Sequence, residues 1–401
     1  MIPALTDRAF SRLAGFLDSH LRSGRIEIIN WDGRGAICGP ADARLVGAVE
    51  LKSREAASRM MANPALAVGA AYADGDWFVV DGDLVDIIVT LRGNTRLSMP
   101  VLPRALNLAG KALDMLLRRK SDLENINFHY NVGNEFYELW LDREMFYSCA
   151  YYDDPDDSLE AAQVAKARHI AGKLNLEAGD HVLDIGCGWG GMAFHLAQNF
   201  DVHVTGISLA ERQIEHCNAK ALKSGLQDRI RFDLCDYRSA TGSFDAIVSV
   251  GMLEHVGRAH LSDMFKAVDR LLKHDGAALI HTIGSVATDP KPNPWIDRYI
   301  FPGGHIPSLS QLTAAIEKTP LLVSDIETLR MHYAWTLSAW RRRFLDAEPT
   351  IISMFGERFF RTWDLYLAIS EASFRTGIYV NYQLQLTKRV DSLPFTRDYM
   401  V

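Results

Sequence analysis

Val182-Leu183-Asp184-Ile185-Gly186-Cys187-Gly188-Trp189-Gly190-Gly191 is an apolar run that enters a cluster of glycines and leads into a helix-forming segment. That order predicts a strand, a tight turn and a helix N-terminus, the unit that binds ligands at one edge of a doubly wound sheet. Gly186, Gly188 and Gly191 satisfy G-x-G-x-x-G, so a dinucleotide site is weighed first. Such a site needs a carboxylate for the ribose about 20 residues on, at the end of the second strand. Here that strand ends Val204-Thr205-Gly206-Ile207-Ser208, with no acid, and Asp184 would repel a pyrophosphate. A ligand carrying an ammonium and a sulfonium, S-adenosylmethionine (SAM), suits the loop better, with the glycines admitting its methionine part close to the backbone.

Around this loop the pattern is regular. It predicts helix 159–175, strand His181–Ile185, helix 190–199, strand Val202–Ile207, helix 209–224, strands 229–234 and Ala246–Val250, helix 260–273 and strand Ala277–Ile283. Alternating strands and helices mean an α/β fold with a doubly wound, mostly parallel sheet. Asp236, just past the strand Ile230–Leu234, falls where an acceptor for the adenine amine is needed; as a bland alternative it caps a turn. Two more strands end in acid–base residues, Glu254 after Phe244–Val250 and His281 after Ala277–Ile280, so both are candidates for one face beside the loop, or for a structural ion pair. The stretch 325–401 is aromatic and harder to assign, apart from a late strand over Val380–Thr387.

Residues 1–100 read as a small α+β domain, with Phe10, Leu13, Leu17 and Leu21 at helical spacing and short strand-like runs. Asp32-Gly33, Asp74-Gly75 and Asp81-Gly82 are read as tight turns. Residues 104–120 hold five basic side chains against one acidic one, interleaved with Leu106, Leu113, Leu116 and Leu117. This basic amphipathic helix suits an anionic lipid surface, or equally a linker with a solvated face. The division expected is 1–120, a lipid-engaging α+β domain with its linker helix, and 121–401, a catalytic domain.

Composition sets limits on partners. The 401 residues carry 43 Lys+Arg against 50 Asp+Glu, a formal charge of −7, which gives no reason to expect nucleic acid. Five cysteines without a C-x-x-C pair favour neither a disulfide framework nor a thiolate metal site, and fit a reducing cytoplasm. No apolar stretch of about 18 residues and no basic-then-apolar leader occurs, so a soluble or peripheral protein is expected.

The chain resembles the cyclopropane-fatty-acyl-phospholipid synthases, the SAM-dependent group that includes the mycolic-acid cyclopropane synthases. The marks are His129-Tyr130-Asn131 with Gly133-Asn134 and Phe136-Tyr137, Tyr147-Ser148-Cys149-Ala150-Tyr151, the glycine loop, Gly251-Met252-Leu253-Glu254-His255-Val256-Gly257, His281-Thr282-Ile283-Gly284 and Tyr299-Ile300-Phe301-Pro302-Gly303-Gly304. The resemblance implies a Rossmann-type class I SAM methyltransferase domain. It implies that Tyr147, Ser148, Gly186, Gly188, Ser208, Leu209, Gln213 and Asp236 hold SAM, with Asp184 and Gly190 of the loop. Cys149, Glu254, His281, Ile283 and Tyr333 would surround a bicarbonate ion. Ser370 stands where the family often has a cysteine, which puts the fate of the intermediate in question. The implied reaction converts a double bond of a phospholipid acyl chain into a cyclopropane, at the inner leaflet, in a protein expected to form a homodimer. Methylation without ring closure and a small-molecule methyltransferase are the alternatives. Arg341-Arg342-Arg343 add to the basic surface or form a solvated face. Cys149 has no neighbouring base in sequence and is not expected to be a covalent nucleophile.

Overall fold

The structure is a computed structural model that describes residues 7–94 and 132–400. The helix expected over 104–120 and the residues Phe128–Asn131 lie outside the described residues. Two compact units emerge. One joins the described part of Met1–Ser121 with Asn293–Ile300 and Phe344–Thr376; the other holds the described part of Asp122–Pro292 with Phe301–Arg343 and Gly377–Val401. The first unit therefore draws on two later segments that the contiguous division at 120 assigned to the second.

In the first unit, Asp7 caps the helix Arg8–His20 by accepting from the amides of Ala9 and Phe10. Strands β1 (Arg25–Ile29), β2 (Gly35–Cys38), β3 (Leu45–Leu51) and β4 (Trp77–Gly82) form a sheet ordered β2-β1-β3-β4, with only β1 and β3 parallel. Of the three Asp-Gly pairs, Asp32-Gly33 makes the β1–β2 turn. Asp74-Gly75 follows the helix Pro64–Ala73, and Asp81-Gly82 closes β4. The long helix Glu357–Arg375 packs on this sheet's helices. Tyr72 donates to Asp364 at 2.6 Å and Arg92 to Ser373 at 2.6 Å. A Cβ on Gly69 would meet the Trp295 indole at 2.6 Å, so only glycine admits that ring.

The second unit is built on a seven-stranded sheet: β5 (His181–Ile185), β6 (His203–Ser208), β7 (Ile230–Leu234), β8 (Phe244–Val250), β9 (Leu272–Ser285), β10 (Leu322–Leu329) and β11 (Tyr379–Thr387), in the order β10-β11-β9-β8-β5-β6-β7. The five strands from β9 to β7 are parallel, while β11 and β10 add on antiparallel. From Val182 to Ile185, β5 is buried and apolar except for Asp184, because both its faces are covered. Helices Leu159–Leu174, Gly191–Asn199 and Glu211–Lys223 bury Ile170, Phe194 and Ile214 on one side. Helices Leu261–Leu271 and Leu309–Ile316 bury Phe265, Val268 and Leu312 on the other. Each such side chain contributes roughly 1.5–3 kcal/mol. This is the doubly wound arrangement expected. β10 is the strand that sequence reading missed: it is polar and largely exposed, as an edge strand is. No helix among the described residues is long and apolar enough to cross a membrane.

Candidate active site

The chain leaves β5 through Gly186, whose φ of +82° suits glycine and whose Cβ would lie 2.6 Å from the Met252 side chain. The amides of Gly186 and Cys187 both donate to the Ile207 carbonyl, fastening the loop to β6. Gly188 opens onto free space. A cleft forms here at the C-terminal edge of the parallel strands. Tyr147, Ser148, Asp184, Gly186, Gly188, Ser208, Leu209, Gln213 and Asp236 all line it. Gly190 does not. It turns the chain into the helix Gly191–Asn199, and a Cβ there would strike Phe194 and Phe232, so its role is packing.

Three polar groups characterise the cleft. Asp184 is 2% exposed, and its Oδ2 has no hydrogen-bond partner. Burial pushes its carboxyl up to about 7 against the opposing pull of Lys166. Asp236 is held by Arg238, whose Nε and Nη2 donate at 2.9 and 2.6 Å, and this pairing keeps the carboxyl below its usual range. Ser208 donates to Gln213 Oε1 at 3.4 Å. Aromatic side chains form the rest of the wall. Tyr147 packs among Tyr137, Trp140 and Trp340, and Trp189 donates its indole N–H to Asn134 at 2.9 Å. Phe146, in the aromatic segment whose sequence suits a cover over the cofactor, also lines the cleft, as do Trp189, Arg238, Met252 and His255, which were not assigned to it. Their signal was position: each lies within a few residues of a strand end or of the segment at 147–149.

Beyond the cleft lies Glu254, in the single turn Leu253–His255 that follows β8. Its Oε1 accepts from the amide of Ile283 at 2.6 Å, while Oε2 is buried without a partner. Burial raises its carboxyl above the usual range, in spite of the Ile283 bond. His281, on β9, does not hydrogen-bond to Glu254. Its Nδ1 lies 3.1 Å from the Gln383 amide and its Nε2 lies 2.7 Å from that of Asn381, both on β11. Burial holds the ring neutral, far below its usual titration range. Gln383 Oε1 accepts from Lys173 at 2.7 Å, which leaves its amide NH2 to donate to Nδ1. A neutral imidazole has one N–H, so Nε2 carries it, and Asn381, whose Nδ2 is placed at 2.7 Å, satisfies it with the amide turned to present Oδ1.

Cys149 is fully buried, its thiol donating to the Ala150 carbonyl at 3.3 Å, and burial pushes it far above the range where a thiolate forms. The amide of Ala150 donates to Thr336 Oγ1 at 3.0 Å. Thr336 shares the helix His332–Asp346 with Tyr333, whose ring meets Trp340 edge-on. Cys149, Glu254, His281, Ile283 and Tyr333 thus belong to one unit, and Ser370 to the other, on the helix Glu357–Arg375. Arg343 of the basic triplet is engaged with Glu160 and the Leu141 carbonyl.

Residues 117–384 match the model of the mycolic acid cyclopropane synthetase family. The chain is 38% identical over 356 residues to the cyclopropane-fatty-acyl-phospholipid synthase of Escherichia coli K12, covering 88% of this chain and 89% of that one. It is 39% identical over 293 residues to a probable fatty acid methyltransferase of Pseudomonas putida, covering 70% and 74%. The structure of the mycolic acid cyclopropane synthase CmaA1, solved with S-adenosylhomocysteine (SAH) and CTAB, superposes with a TM-score of 0.63 at 30% identity, covering 67% of this chain and 98% of that one.

Proposed function

The chain belongs to the mycolic acid cyclopropane synthetase family, and on that premise we propose that it adds a methylene derived from the SAM methyl to the cis double bond of unsaturated acyl chains in membrane phospholipids, forming cyclopropane fatty acids. The observation that carries this reading is the pairing of two buried carboxyls, Asp184 in the cleft and Glu254 beyond it, each with an unpartnered oxygen. One suits a cationic ligand and the other a proton-handling site.

When bound, SAM supplies an electrophilic methyl group. Asp184 meets its ammonium, Asp236 accepts from its adenine amine under the grip of Arg238, and Tyr147, Ser148, Gly186, Gly188, Ser208, Leu209 and Gln213 complete the wall. An alkene is a weak nucleophile, so the aromatic side chains around Tyr147 serve to keep the reacting groups aligned and dry. Ring closure also requires loss of a proton from the added carbon, and a strong protein base beside the developing cation would itself attack it. Two of the side chains here are poor bases, a Cys149 whose burial keeps the thiol protonated and a His281 whose ring is held well below its usual titration range, while burial raises the Glu254 carboxyl. Such a set fits a small anion held by hydrogen bonds. Bicarbonate, which the family resemblance implies, would supply the proton acceptor near Glu254 Oε2 and Tyr333; the ring of His281, the Cys149 thiol and the Ile283 amide are already bonded to Asn381 and Gln383, to the Ala150 carbonyl and to Glu254, and would have to exchange those partners to hold it. The substrate places the enzyme at the inner leaflet as a peripheral protein.

Labelled methionine tests this directly. Lipids from a host expressing the gene are analysed after growth on methionine bearing a trideuterated methyl. Two deuteriums retained per added carbon support ring closure. Three mean simple methylation, the outcome favoured by the relative described as a fatty acid methyltransferase. Activity on a soluble acceptor without vesicles would refute the lipid substrate.

A further inference from the structure

Strand β11 carries Asn381, Gln383 and Gln385 at alternate positions, so three amide side chains share one face of the strand, and all three are buried. Buried amides are costly unless their N–H groups and oxygens find partners. Here the partners form one row. Gln383 stands opposite His281 of β9 on one side and opposite Glu327 of β10 on the other. The helix Leu159–Leu174 brings Lys173 onto this row. The Lys173 ammonium donates to Gln383 Oε1 at 2.7 Å and also to the Glu327 carboxylate, whose Oε2 lies 2.6 Å from His169 Nε2, one turn earlier on the helix. Gln385 fastens the same helix by donating to the Lys173 carbonyl at 2.6 Å. A half-buried carboxylate and a buried ammonium thus connect, through a single amide, to the ring of His281.

The connection has a direction. A lysine ammonium can only donate, so Gln383 must turn its oxygen to Lys173 and its NH2 to Nδ1 of His281, at 3.1 Å. Nδ1 is then bare and Nε2 carries the proton. A doubly protonated ring would need an acceptor at Nδ1, and Gln383 has none left to give. Nε2 faces Asn381, which pairs across the sheet with Ile283, the residue whose amide donates to Glu254. We propose that Lys173 and Gln383 are positioning residues that hold His281 with its one proton on Nε2, so that the ring offers an N–H donor, and not a lone pair, toward the Glu254 side of the site. The inference rests on the reading that a small anion works there: a donor attracts it and a lone pair repels it. When the Nε2 proton turns from Asn381 to the anion, the bond from Gln383 to Nδ1 stays in place. With Lys173 gone, the amides of Gln383 and Asn381 can turn over together, and either tautomer is then fully bonded.

NMR of the full-length protein with nitrogen-labelled histidine tests this near neutral pH, because protonated and bare ring nitrogens resonate far apart. The His281 signals are identified by their loss in His281→Gln. Wild type should show a protonated Nε2 and a bare Nδ1; the reverse overturns the proposal. Gln383→Glu keeps the shape and the bond to Lys173 but presents an acceptor to Nδ1, so the proton should move to Nδ1. Turnover of SAM with vesicles of monounsaturated phosphatidylglycerol should then fall about 100-fold in kcat, the worth of one donor to an anion. SAM affinity should stay unchanged, because neither Lys173 nor Gln383 lines the cofactor cleft. Lys173→Met should give a mixture of the two tautomers, and it carries the test should Gln383→Glu fail to fold. A merely structural role would lower the melting temperature of both variants and leave the ring as in wild type, and that result overturns the proposal. So does a switched tautomer with wild-type turnover. If wild type shows the expected ring and converts no lipid, the reaction proposed above is wrong, while the two variants still decide what orients His281.

Discussion

Replacing Asp184 with asparagine should make the ligand-free protein more stable while removing its ability to hold SAM. The side chain keeps its shape and loses its charge. Burial lifts this carboxyl from its ordinary 3.8 to about 7, which corresponds to a cost of about 4 kcal/mol for keeping it ionised in the folded chain. Because folding raises the carboxyl, the folded protein retains a proton that the unfolded chain has released between about pH 4 and 7. Wild-type stability therefore falls as pH rises through that window, and the penalty is complete above it. Asp184→Asn escapes it: no advantage near pH 4, growing to a ceiling of about 4 kcal/mol above pH 7, or roughly 8–16 °C in melting temperature for a unit of this size. Differential scanning calorimetry of both proteins without SAM, from pH 5 to 8.5, measures the difference. Calorimetric titration should then show SAM affinity reduced about 10- to 100-fold in the variant, the worth of one charge-assisted hydrogen bond. A variant less stable than wild type at pH 8, or a difference independent of pH, refutes the account of Asp184 as a buried carboxyl whose desolvation outweighs the pull of Lys166.

Glu254→Ala should abolish turnover and leave SAM affinity nearly unchanged, at a stability cost of about 1–3 kcal/mol because the Ile283 amide loses its acceptor; near-normal turnover would remove Glu254 from the reacting site. Gly186→Ala forces a side chain into a φ of +82° and against Met252, and should destabilise by about 2–5 kcal/mol, read as a lowered melting temperature together with weaker SAM binding. Replacing Arg118, Arg119 and Lys120 with glutamines should weaken flotation with anionic vesicles and spare SAM affinity; unchanged flotation would make that basic stretch a linker only.

The cleft was legible because its geometry is local. Strand, glycines and helix follow one another in sequence, so the residues expected to hold SAM, from Tyr147 to Asp236, fall at strand ends or on the segment at 147–148, and all but Gly190 line the cleft. The surroundings of His281 were not legible. Its partners Asn381 and Gln383 arrive from β11, about 100 residues later, through an antiparallel register that no local pattern encodes. Lys166 escaped notice for a related reason. In the sequence it is one more cation on a helix that also carries Arg168 and Lys173, and only the packing of that helix behind Ser148 turns it inward. β10 hid because its pattern is that of an exposed edge, which composition alone cannot distinguish from a loop.

The assembly of the first unit from three separated segments bears on how the protein is made. Tyr72 and Arg92 bond to Asp364 and Ser373, partners 292 and 281 residues downstream. At about 5–20 residues per second, a ribosome needs roughly 15–60 s to deliver those partners after the N-terminal segment has emerged. For that interval the sheet β2-β1-β3-β4 lacks its longest helix, and the face meant for Glu357–Arg375 is open to chaperones or to other nascent chains. A fragment ended at residue 120 would remain in that state permanently, so the first unit is a product of the finished chain and cannot be isolated by cutting after its first segment.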